Sequence, residues 1–84
     1  MEKTREHMMS VLASQNIAKN GLDHYYNAGV RFGFFDPDDE ELSIHNVCQN
    51  IIDRLVDYEE FEEAEKLKNI LINHKHDNQT STQA

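Results

Sequence analysis

The chain has 84 residues, with 8 Lys and Arg against 16 Asp and Glu, giving a formal net charge of −8. That length fits one small domain with a thin core. The acidic balance argues against direct binding to nucleic acid or an anionic membrane, where affinity comes largely from neutralising phosphates with Lys and Arg. A basic surface on a partner protein is the better match.

Residues 4–19 read as a first helix. Thr4 is its N-cap, and Met8, Met9, Leu12, Ala13 and Ile17 recur at three- and four-residue spacing as the expected apolar stripe. Asn20-Gly21 is a stop signal, because glycine ends helices in conformations that other residues avoid.

Residues 22–35 allow two readings. One is a short second helix with Tyr25, Tyr26, Val30 and Phe34 turned inward. The other is a hairpin turning at Asn27-Ala28-Gly29. The helix is preferred, since a lone two-stranded hairpin is marginal in water and nothing else in the chain reads as strand.

Asp36-Pro37-Asp38-Asp39-Glu40-Glu41 then reads as a helix start. Asp36 is the expected N-cap, Pro37 the first helical residue, and the carboxylates sit at the positive end of the dipole. The clearest helix follows, with Leu42, Ile44, Val47, Cys48, Ile51, Ile52, Leu55 and Val56 on its apolar face. Residues 57–60 break the pattern. A last helix carries Phe61, Ala64, Leu67, Ile70 and Leu71, with Glu62 and Lys66 spaced as a favourable pair.

The predicted fold class is all-α: a bundle of three to four helices ending in an antiparallel helical hairpin. Residues 1–74 form the expected domain, and residues 75–84, polar throughout, the expected disordered tail.

The run Phe61-Glu62-Glu63-Ala64-Glu65-Lys66-Leu67-Lys68-Asn69-Ile70-Leu71 resembles the UVR motif, with its Phe-Glu-x-Ala-Ala-x-Leu-Arg-Asp-x-Ile pattern. Phe61, Glu62, Ala64 and Leu67 match. Lys68, Asn69 and Leu71 are conservative departures, and Glu65 replaces a small residue. With its preceding helix the likeness spans residues 42–74. It implies an antiparallel hairpin used for protein–protein docking.

Several kinds of chemistry lack their residues. His7, His24, His45, His74 and His76 show no spacing for a four-ligand zinc site. His74 and His76 read as part of a solvated end, so no metal is expected. Asp36, Asp38 and Glu40 alternate as in a calcium loop, but Glu41 stands where that loop needs glycine and Val47 where it needs glutamate. Ser10, Ser14 and Ser43 show no nucleophile elbow, and the three glycines make no phosphate loop. Cys48, the one cysteine, sits on an apolar face and reads as core. The expectation is therefore no enzyme and no cofactor. The free thiol and polar N-terminus, with no signal peptide, suggest the cytoplasm.

The segment least explained by packing is the aromatic–acidic one. Phe34, Phe35, Asp36, Asp38, Asp39 and Glu40 are the candidate partner-binding residues: aromatics supply anchors and acids steer a basic partner. The expected function is a small acidic interaction module, a regulator or inhibitor of the kind common in mobile elements and phages. The alternatives are a structural homo-oligomer subunit and a mimic of nucleic-acid charge, using the acidic runs at 36–41 and 57–65. A more distant reading is a pocket for an anionic small ligand at a subunit interface, with Tyr25, Tyr26 and Arg31 stacking on it and pairing with it.

Overall fold

A computed structural model describes residues 4–83, with side chains described for residues 4–76. Four α-helices follow in order: α1 (Arg5–Asn20), α2 (Leu22–Arg31), α3 (Ile44–Asp57) and α4 (Phe61–Gln83), with a single 3-10 turn at Glu40–Leu42 before α3. The described residues contain no strand, so the helical reading of residues 22–35 holds as far as Arg31. The backbone of α4 continues through residues 75–83. The side chains of the expected tail beyond His76, and residue 84 itself, lie outside the described residues.

The termini follow local chemistry. Thr4 caps α1 by accepting a hydrogen bond from the His7 N–H at 3.1 Å. Gly21 both ends α1 and begins α2. Its N–H donates to the Ile17 carbonyl at 2.8 Å, and its φ of 99° is one that side-chain-bearing residues rarely adopt. A single residue therefore turns the chain between the two helices.

The start of α3 differs from the expected one. Ser43, not Asp36, is its cap, with the Oγ accepting from the Asn46 N–H at 3.3 Å. Pro37 instead sits in a turn closed by a hydrogen bond from the Asp39 N–H to the Asp36 carbonyl at 3.0 Å. The φ that proline fixes suits the second residue of a β-turn as well as the first turn of a helix. Asp36 Oδ1 accepts from the Asp38 N–H, and Asp39 Oδ1 from the Glu41 N–H, each at 2.9 Å. The two aspartates thus tie local turns rather than cap the long helix.

Helices α3 and α4 form the predicted antiparallel hairpin. The chain reverses at residues 58–60, where Glu59 takes a φ of 63° and the Glu60 N–H donates to the Leu55 carbonyl at 2.8 Å. Their facing sides bury Val47, Cys48, Ile51, Ile52, Leu55, Ala64, Leu67 and Leu71, to which α1 and α2 add Ile17 and Leu22.

The buried face of α1 differs from the expected apolar stripe. Ile17 and the partly buried Ala13 and Val11 face inward, but the fully buried positions beside Ile17 are Ser10 and Ser14. Met8, Met9 and Leu12 point outward, with Met9 61% and Leu12 62% exposed. Both serines satisfy their hydroxyls: Ser10 donates to the Glu6 carbonyl at 2.9 Å, and Ser14 to Glu63 Oε2 at 3.2 Å. Small side chains with satisfied hydroxyls can lie between helices at little cost.

Candidate functional site

The candidate site forms where α2 runs out. After Arg31 the chain folds back, and the N–H groups of Phe34 and Phe35 reach the Gly29 carbonyl at 2.7 and 3.3 Å. This return splits the aromatics into two groups. Phe35 turns inward over α2, stacked on Tyr26 at 5.6 Å between centroids and tilted against Tyr25 at 6.0 Å. It can do so because Gly29 is bare: a Cβ there would overlap the Phe35 ring. Phe32 and Phe34 remain outside, 72% and 76% exposed.

Two expectations therefore change. Phe34 is not an inward residue of the bundle, since the chain leaves the helix before reaching it. Phe35 packs against the core beside Tyr25 and Tyr26, and it also lines the neighbouring groove.

Beside the exposed pair lies an open groove of about 550 Å³. Met9 of α1, Tyr25 and Ala28 of α2, and Phe32, Phe34 and Arg54 are among the residues lining it. Burial pushes the Tyr25 hydroxyl above its ordinary pKa, with Arg54 pulling the other way, so the phenol is neutral at physiological pH. The groove is mainly apolar, with one guanidinium at its edge. Sequence reading missed Met9 and Phe32 as members. The signal was present in Met8-Met9 and Leu12, whose stripe serves the surface instead of the core.

Asp36, Asp38, Asp39 and Glu40 are exposed and follow directly in the chain from Phe35. The acidic character is regional: residues 1–35 hold 4 basic and 3 acidic side chains, whereas residues 36–84 hold 4 and 13. A second apolar side chain among carboxylates is Phe61, exposed at the α3–α4 turn with Glu59, Glu60, Glu62 and Glu63 around it. Two of these acids already have roles. Glu60 Oε1 accepts from the His7 Nε2–H at 2.9 Å, and Glu63 Oε2 accepts from the Ser14 hydroxyl. The His7 ring also stacks flat on Tyr58 at 4.5 Å, which fixes the α3–α4 turn against α1.

The other chemistry-bearing residues are placed apart from this groove. Cys48 is fully buried, and desolvation pushes its thiol up to about 11. Among the described residues no three His, Cys, Asp or Glu side chains converge as a metal site would need, and no helix is long and apolar enough to cross a membrane. His45 and His74, separate in the sequence reading, come together: His45 Nε2 lies 2.9 Å from His74 Nδ1.

Compared with protein-family models, with curated proteins and with solved structures, the chain matches none.

Proposed function

We propose that this protein is a small acidic interaction module that regulates or inhibits a partner by binding it. The carrying observation is the groove edged by Met9, Phe32 and Phe34 together with the exposed carboxylates of residues 36–40. Large exposed aromatics are the side chains most often found as energetic anchors of interfaces. Dense negative charge beside them draws in a basic surface and disfavours an acidic one. The partner chemistry that fits is an apolar protrusion flanked by Lys or Arg. The UVR-like pattern of α4 points to the same class, docking through a helical framework.

The test is affinity capture from the native cell with three baits: wild type, Phe34→Ala, and the triple variant Asp38→Asn, Asp39→Asn, Glu40→Gln. A protein retained by wild type and lost from both variants supports the reading. Equal recovery by all three removes this surface from consideration.

One observation favours a second reading, self-association. Met8, Met9 and Leu12 form an exposed apolar stripe on α1, in the near-neutral part of the chain, where two copies could meet with their acidic halves apart. Sedimentation at increasing concentration separates the two: a mass that stays monomeric into the high micromolar range leaves only a foreign partner.

A further inference from the structure

Away from the groove, three helices meet at a chain of polar contacts. Asp23 of α2 holds His74 of α4, with Oδ1 2.9 Å from Nε2. The other nitrogen of that ring, Nδ1, is 2.9 Å from Nε2 of His45 on α3, and the two rings meet edge to face at 5.0 Å. The side chain of His74 is only 15% exposed and that of Asp23 is 73% exposed, so the His45–His74 contact is the sheltered half of the chain.

The proton inventory of this chain is restrictive. A carboxylate only accepts, so His74 Nε2 carries a proton and donates it to Asp23. In neutral His74 the Nδ1 is then a lone pair, and His45 Nε2–H donates to it. Add one proton, and either ring can carry it while one N–H still lies between the two nitrogens. Add a second, and both facing nitrogens carry hydrogens. Two donors cannot share a 2.9 Å contact, and two cationic rings repel each other.

We propose that Asp23, His74 and His45 form an acid-sensitive latch that clamps α2, α3 and α4 together and opens when both rings are protonated. Its surroundings set the direction. The charged groups acting on His45 are His74 and Lys75 from α4 and Asp23 from α2. Burial lowers the pKa of His45 below the usual 6.5, and the positive charges of His74 and Lys75 lower it further, against a smaller opposite pull from Asp23. His45 also sits in the first turn of α3, where the helix dipole disfavours a cation. The folded protein thus prefers neutral His45, and the unfolded chain takes up the proton first as pH falls. The unfolded state binding more protons means that stability rises with pH. The latch is therefore at full strength above about pH 6.5 and weakens below it.

What opens is specific. His45 lies two residues beyond the Ser43 cap, and on the same turn Asn46 Nδ2 donates to the Glu40 carbonyl at 3.1 Å. Releasing His45 loosens the turn on which the acidic segment rests. The latch thus lets acid conditions alter the segment's presentation, and it stands whether or not that segment binds a partner.

The experiment is thermal melting followed by circular dichroism at pH 7.5 and 5.0, for wild type and His45→Gln. Glutamine keeps an amide that can donate or accept toward His74, and it does not titrate. The melting temperature of wild type should fall between the two pH values by several degrees more than that of the variant. Equal falls overturn the latch. A readout on wild type alone covers the case where the variant folds poorly: NMR titration of the imidazole carbons. The His45 resonance should report a step below the ordinary histidine range, where burial and the facing His74 and Lys75 charges hold it. A His45 step at or above 6.5 overturns it equally.

Discussion

Adding one methyl group at Gly29 tests the construction of the site. Two effects oppose each other. Gly29 lies inside α2, where alanine is better than glycine by about 1 kcal/mol, so an unobstructed replacement would stabilise. However, the new Cβ would fall on the Phe35 ring, which must move. Displacing that ring gives up its two aromatic neighbours, worth about 0.5–1.5 kcal/mol each. It also gives up part of the roughly 1.5–3 kcal/mol from burying a phenylalanine, since the ring is partly buried. The losses outweigh the gain, and Gly29→Ala should destabilise by about 1–3 kcal/mol. For a domain of this size that lowers the melting temperature by about 4–8 °C per kcal/mol. Urea denaturation of the four members of a cycle with Phe35→Ala provides the assay. With the ring absent, Gly29→Ala should reverse sign and stabilise by about 1 kcal/mol. A Gly29→Ala protein as stable as wild type, or an equal loss in both backgrounds, would refute the account of how Phe35 is seated.

Further outcomes follow from burial. Leu55 is fully buried between α3 and α4, so Leu55→Ala should cost about 2–5 kcal/mol in urea denaturation. Leu12→Ala, at an exposed position on α1, should stay within about 0.5 kcal/mol of wild type, and a large loss there would restore Leu12 to the core. Cys48, buried and with its thiol pushed up to about 11, should react with a maleimide at pH 7.5 far more slowly in the native protein than in denaturant. Equal rates would place the thiol at the surface.

How far the sequence carries depends on which signals compete. In α3 and α4 little competes: Val47, Ile51, Leu55, Ala64, Leu67 and Leu71 repeat at helical spacing and are buried as read, whereas Val56 and Phe61, read with them, flank the α3–α4 turn and are exposed. In α1 hydrophobicity misleads. Met8, Met9 and Leu12 outrank Ser10 and Ser14 on any apolar scale, yet the serines face in. Their hydroxyls find acceptors at Glu6 and Glu63, one of them on another helix and so invisible in a linear reading. At Asp36-Pro37 the ambiguity is geometric, because a proline φ serves a turn and a helix start equally, and the structure takes the turn and caps α3 with Ser43. At the site, the exposure of Phe34 was set by the place where α2 ends, and the burial of Phe35 by an empty space above Gly29. The pairing of His45 with His74 joins residues 29 apart and has no local signal.

The proposed function meets its most direct test in binding kinetics with a captured partner at two salt concentrations. Two variants probe the two halves of the surface. Phe34→Ala removes an exposed anchor at little cost in folding, so it should mainly speed dissociation, by about tenfold or more if the ring contributes 1.4 kcal/mol or above. Asp38→Asn, Asp39→Asn, Glu40→Gln removes long-range attraction, so it should mainly slow association at low salt and flatten the salt dependence. Should the charge-neutralised protein associate as fast as wild type at low salt, and Phe34→Ala dissociate no faster, the acidic–aromatic surface is not the interface.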